Sequence, residues 1–185
     1  MSAPEFDLAG AARLRPLTEA DADELYDLVE ANRAYLARWM PWAEAQTRAG
    51  TLEFIRMTAE QAATDRGFQV ALTVQDRIVG LVGYHALDRD NRRVSIGYWL
   101  AADVQGRGLM TRAVSALIDY AFEVWGLHRV EIRSAVDNSR SRALCERLGL
   151  VEEGLLREAE AFTDRYHDLV VYSVLAPEWA NRSRG

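Results

Sequence analysis

Residues 96–110 read Ile96-Gly97-Tyr98-Trp99-Leu100-Ala101-Ala102-Asp103-Val104-Gln105-Gly106-Arg107-Gly108-Leu109-Met110, and no other stretch of the chain is as informative. Its first part, with Val94 and Ser95 before it, has the β-branched and aromatic content of a strand, and its last part opens an apolar pattern of helical period. A strand, a glycine-containing turn and a helix start gather unpaired N–H groups and the positive end of a helix dipole at one point, which suits a phosphate. Gly106 and Gly108 would let phosphate oxygens approach those amides, and Arg107 adds a cation. Two glycines alone fit a plain connecting turn equally well, so both readings stand on this stretch by itself. It is neither a Walker A loop, which continues Gly-Lys-Ser/Thr, nor the dinucleotide fingerprint G-x-G-x-x-G.

Upstream, Phe68–Val74 and Ile78–His85 read as strands joined by the short polar connection Gln75-Asp76-Arg77, and the polar turn Asp88–Arg93 leads into the strand Val94–Leu100. Three sequential antiparallel strands are expected. Earlier still, Arg13–Leu17 is a short strand, and Thr18, with Asp21 three residues on, caps a helix near Glu19–Asn32 whose apolar face is Leu25, Leu28 and Val29. The segment Tyr35–Trp42 breaks that period. Thr51 then opens a second helix, with Leu52, Ile55, Ala59 and Ala62 at helical spacing, ending near Arg66-Gly67.

Downstream, Gly108–Trp125 is a helix with Leu109, Ala113, Leu117, Tyr120, Ala121 and Val124 toward the core and Gly126 as its left-handed end. Arg129–Ala135 is a strand, Asp137–Leu148 a helix ended by Gly149, and Val151–Phe162 and Arg165–Leu175 two further strands. The order βααβββαβαββ describes a mixed α/β domain.

A chain of 185 residues fits one domain, residues 1–185, and buries roughly 70% of its unfolded surface, enough for a core without disulfides or metals. Hydrophobic residues are 49% and charged residues 27%, ordinary values for a globular protein. The net charge of −6 argues against a nucleic-acid partner held by a broad basic surface, so any phosphate site is local. One cysteine, Cys145, excludes an internal disulfide, and three histidines without i, i+4 pairing offer no metal set. The N-terminus lacks a basic and an apolar targeting region and no apolar run reaches membrane-span length, so a cytoplasmic protein with no membrane partner is expected.

The glycine spacing after antiparallel strands resembles the GNAT acyl-CoA N-acyltransferase superfamily, whose signature is Gln/Arg-x-x-Gly-x-Gly/Ala; Gln105, Gly108 and Met110 fall on its fixed places, the last as a departure. The RimJ/RimL-type branch, ribosomal-protein N-terminal acetyltransferases and their relatives, is resembled more closely. The segments that carry this are Ile96–Leu100, His128-Arg129-Val130-Glu131-Ile132-Arg133, Asp137-Asn138-Ser139-Arg140-Ser141, Glu146-Arg147-Leu148-Gly149-Leu150 and Tyr166-His167-Asp168, and the likeness spans about residues 13–176. It implies a GNAT fold with a central mixed, mostly antiparallel sheet flanked by helices.

The resemblance further implies that acetyl-CoA is the cosubstrate, attacked directly by an amine. The backbone of Trp99 and Leu100 would pair with the pantetheine arm, and the amides of Gln105, Gly106, Arg107, Gly108, Leu109 and Met110 would hold the pyrophosphate. Asn138 matches a pantetheine-contacting position and equally reads as a helix N-cap. Many relatives place an acidic tyrosine where Cys145 stands; Ser141, one turn earlier, matches the serine given this role in RimL-type enzymes and equally reads as a first-turn serine bonded to the helix. Cys145 reads as a small core residue. Glu160 falls where RimL-type enzymes carry a carboxylate and is the candidate base, although period-2 alternation puts Glu158 on the same face. His167 and Asp168 read as structural or acceptor-rim residues, and Tyr35, Trp39 and Trp42 as an acceptor wall or a core corner.

The expected function is transfer of an acetyl group to a primary amine, a protein N-terminus or a small molecule resembling one, with a homodimer implied by the resemblance. A small-molecule acceptor such as an antibiotic or polyamine, another acyl-CoA donor, and a non-catalytic acyl-CoA-binding module are the alternatives.

Overall fold

The computed structural model describes residues 3–8 and 10–182. Eight strands form one sheet in the order β1-β2-β3-β4-β5-β6-β8-β7, flanked by helices. They are β1 (Phe6–Leu8), β2 (Ala12–Pro16), β3 (Gln69–Val74), β4 (Arg77–Asp88), β5 (Arg93–Leu100), β6 (Arg129–Ala135), β7 (Val151–Ala161) and β8 (Tyr166–Leu175). The helices are α1 (Ala22–Leu36), α2 (Arg48–Ala63), α3 (Leu109–Glu123), α4 (Ser139–Arg147) and α5 (Ala176–Arg182). The chain visits two compact units: one holds the residues through Tyr84 and Tyr98–Val114, the other His85–Gly97 and the residues from Ser115 onward.

In the first unit β1, β2, β3 and the start of β4 pair antiparallel in sequence. Leu17, Leu25, Val29, Leu36, Ile55, Leu81 and Trp99 form its core. The capping box expected at Thr18/Asp21 forms, but it heads a 3-10 turn, Glu19–Asp21, and α1 begins only at Ala22 and runs on to Leu36, past the expected end near Asn32. The Asp21 carboxylate accepts from the Thr18 N–H at 2.7 Å and hydroxyl at 2.9 Å and from both arms of the Arg15 guanidinium. In α2 the start and the buried face both differ from expectation. Thr47 is the cap, accepting from the Gly50 N–H at 3.0 Å, and the buried stripe runs through Thr51, Ile55 and Thr58, with Ala59 exposed. A threonine can lie in this apolar stripe because the Thr58 hydroxyl donates to the Ile55 carbonyl at 2.8 Å.

The second unit is organised by β6. It pairs parallel to β5 from Arg93↔Arg129 to Ser95↔Glu131, and β5 continues five residues beyond that register. On its other side β8 pairs antiparallel from Arg129↔Leu175 to Ala135↔Leu169. Ile96, Leu117, Ile118, Val130, Ile132, Cys145 and Tyr172 are buried here. Ile118 belongs to the core face of α3 although the pattern pointed to Val124, which is exposed: α3 stops at Glu123, and the turn at Gly126 (φ +62°) carries Val124 outward. Arg129 joins Glu131 (2.9 Å) and Glu153 (2.5 Å), and Glu153 also accepts from the Ser173 hydroxyl at 2.7 Å, fastening the start of β7. β1 and α5 are the elements the residue pattern does not announce. β1 is three residues long, and α5 is held by the Trp179 indole N–H donating to Asp119 at 2.6 Å.

Candidate functional site

The glycine loop lies in the first unit, and its shape follows from a few ties. After β5 the Ala101 N–H donates to the Val79 carbonyl at 2.8 Å, and the Ala102 N–H donates to the Asn32 side chain on α1 at 2.9 Å. The Gln105 amide donates to the Leu100 carbonyl at 3.1 Å and to the Tyr35 hydroxyl at 2.9 Å, so this side chain braces the loop against strand and helix. Gly106 and Gly108 are both left-handed, at φ +77° and +70°, and a Cβ on Gly106 would meet only open space. The glycines are therefore required by backbone conformation, and an anion has room to approach the amides at the start of α3.

Leu109 and Met110 bury their side chains, so the departure from Gly or Ala at position 110 is absorbed by the interior and not by the turn. Arg107 is exposed and reaches back to the Asp103 carbonyl at 3.3 Å. Sequence reasoning missed Arg112. Its guanidinium donates to the Arg107 carbonyl at 3.4 Å, and its buried Nε has no hydrogen-bond partner among the described residues. Its place one helical turn after Gly108 is the signal that would have found it. These features fit a pyrophosphate.

Beside them, α1 and α2 are joined by the aromatic segment. Arg33 bonds the carbonyls of Ala43, Glu44 and Gln46, the last two at 2.8 Å each, which fixes the connection. Trp42 is exposed with its ring 6.2 Å from that of Trp99, and Trp39 is half-buried.

The other candidates lie in the second unit. Asn138 caps α4, its Oδ1 accepting from the Ser141 N–H at 3.2 Å; Ser141 is half-buried on the first turn, and Cys145 behind it is fully buried. Arg142 donates to the Tyr172 hydroxyl at 3.0 Å and to the Val136 carbonyl at 3.1 Å, a structural engagement.

Glu160 stands opposite His167 across the β7–β8 pair. Strict alternation fails just before it: Leu156 pairs with Leu169 and Glu160 with His167, four steps along β7 against two along β8. Glu158 sits in this bulge at φ +50°, exposed, with its N–H donating to the Asp168 carboxylate at 2.7 Å. Glu160 is half-buried, and desolvation raises its carboxyl pKa, partly opposed by His167. The structure thus separates two carboxylates that the alternation rule treats alike. The His167 ring is tilted against that of Phe162, with centroids 4.6 Å apart, and accepts at Nε2 from Arg165 at 3.1 Å. A second titratable group of this unit is His85. Its ring lies where a Cβ on Gly97 would be, and desolvation lowers its pKa.

The model of the acetyltransferase (GNAT) domain matches residues 12–151. A Bacillus subtilis (strain 168) protein carrying the provisional name ribosomal N-acetyltransferase YdaF is 39% identical over 168 residues, covering 90% of this chain and 92% of the relative. The ribosomal-protein-serine acetyltransferase of Escherichia coli (strain K12) is 28% identical, covering 86% and 90%. A solved structure of the microcin C7 self-immunity acetyltransferase MccE with acetyl-CoA and AMP is 28% identical, with a TM-score of 0.85 over 89% of this chain and 92% of that one. A family model over most of the chain and a relative of this identity agree with a loop whose glycines leave its amides open to an anion: the chain belongs to the GNAT acetyltransferase family, as an N-acetyltransferase that takes its acetyl group from acetyl-CoA.

Proposed function

We propose that this chain, as a single catalytic domain, acetylates the N-terminal amine of a protein, a ribosomal protein being the favoured acceptor. The observation that carries this reading is the 39% identity, along nearly the whole chain, to the relative named a ribosomal N-acetyltransferase. A net charge of −6 is compatible with a cationic acceptor once the cofactor's phosphates are met locally.

Bound acetyl-CoA supplies an activated thioester carbonyl. The loop amides from Gln105 to Met110, with Arg107 and Arg112, hold the pyrophosphate, and the end of β5 at Trp99 and Leu100 offers backbone to the pantetheine arm. Glu160 takes a proton from the acceptor ammonium through water, and burial, by raising its carboxyl pKa, makes its carboxylate a stronger base than that of an exposed glutamate. The freed amine forms the new N–C bond as the C–S bond breaks, Ser141 gives its hydroxyl proton to the departing sulfur, and the second proton shed by the attacking nitrogen restores the Ser141 hydroxyl. Asn138 serves as cap and places Ser141.

The test is acetyl transfer to synthetic peptides with free Ser or Ala N-termini, the same peptides N-terminally blocked but carrying an internal lysine, and spermidine. Transfer confined to the free N-termini is expected. Equal or preferred transfer to spermidine would overturn the protein acceptor, and loss of turnover in His85→Ala with full turnover in Glu160→Gln would move the base to His85.

A further inference from the structure

The bulge in β7 raises a question that the reaction alone does not answer, namely what keeps an exposed glutamate in a left-handed backbone conformation. A non-glycine residue at φ +50° is sterically disfavoured, so Glu158 holds that conformation only under an outside constraint. That constraint is Asp168. Its carboxylate accepts from the Glu158 N–H at 2.7 Å, a charge-assisted bond, and its own carbonyl accepts from the Val136 N–H at 3.1 Å, just before the Asn138 cap. One residue of β8 thus supports both the bulge ahead of Glu160 and the turn ahead of Ser141.

The register shows what the bulge achieves. Continued regularly from Leu156↔Leu169, antiparallel pairing would bring Glu158 opposite His167; with two extra residues, Glu160 takes that place. We propose that Asp168 is a positioning residue for Glu160, its carboxylate fixing the β7 register that places Glu160, and not Glu158, opposite His167. This rests on Glu160 being the base.

The experiment compares Asp168→Ala, Asp168→Asn and Glu160→Gln by kcat, acetyl-CoA dissociation constant and amide exchange at Glu158, with unfolding temperatures confirming that each variant is folded. Asn keeps an oxygen that accepts from the Glu158 N–H; Ala does not. The expected result is a kcat lowered about 10²-fold in Asp168→Ala and within about threefold of normal in Asp168→Asn, with acetyl-CoA affinity unchanged in both. The Glu158 amide should exchange faster only in the alanine variant. Full kcat in Asp168→Ala alongside inactive Glu160→Gln would overturn the proposal, as would equal losses in the Ala and Asn variants or a kcat loss with Glu158 still protected. Full kcat in Glu160→Gln would instead overturn the base reading, and the exchange data would then decide whether Asp168 holds the strand at all.

Discussion

The glycine loop before α3 and the bulge in β7 both depart from regular backbone, and both do so through left-handed residues, yet they are held in opposite ways. In the loop the left-handed positions are Gly106 and Gly108, which carry no steric penalty there, and side-chain ties from Gln105 and Asn32 only brace it. In β7 the left-handed residue is Glu158, which does carry the penalty, and the conformation depends on the bond its N–H donates to the Asp168 carboxylate. A backbone shape written into residue type survives changes among its neighbours. One imposed from another strand does not.

The largest effect should come from attacking the loop where it is intrinsic. Gly108→Val forces a β-branched residue to φ +70° with the Arg112 guanidinium close by, and should weaken acetyl-CoA binding at least about tenfold in titration calorimetry. Binding within twofold of normal would show that the loop does not need its left-handed glycine.

The other register shift of β7, between Glu152 and Gly154, provides a smaller, pH-dependent contrast. The hydrogen bond from Arg129, with that from Ser173, holds the Glu153 pKa at about 2, below the ordinary 4.5. A carboxylate depressed in the folded state contributes stability that is complete above about pH 4.5 and is lost as pH falls through about 2. With the Glu153 side chain 39% exposed, solvent screening reduces this to about 1 kcal/mol. Glu153→Gln should therefore cost about that much in urea unfolding at pH 7 and lose most of that cost as pH falls to about 2. An equal cost at both pH values would assign the effect to packing.

The smallest effect separates the two left-handed devices directly. Glu158→Gly relieves the left-handed penalty and gives back part of it as extra unfolded-state entropy, a net gain of about 0.5 kcal/mol or a rise of about 1–2 °C in Tm. Gly106→Ala should instead lower Tm by about 2–4 °C. A fall in both variants would mean that Glu158 makes contacts that outweigh its backbone strain.

The same contrast explains what the amino-acid sequence discloses. Gly106, Gly108, the Thr18/Asp21 cap and the Asn138 cap are legible because each local conformation is encoded by the residues that adopt it. The core strands and most helices are legible through period 2 and period 3.6. Thr58 in the buried stripe of α2, Val124 turned outward beyond α3, and α5 anchored through Trp179 are not, because each depends on a partner that local periodicity ignores. At the site, alternation cannot separate Glu158 from Glu160, since the bulge that does so is imposed by Asp168 on the neighbouring strand. Arg112 was hidden for a related reason: a cation on an amphipathic helix reads as solvated until its burial is seen.

The proposed division, cofactor binding at the loop and proton removal at the bulged strand, is tested most directly by acetyl-CoA affinity and turnover on the same preparation of Glu160→Gln. It predicts a dissociation constant within about twofold of the unaltered protein and a turnover at least about 100-fold lower. A parallel loss of both, or turnover left intact, would contradict it.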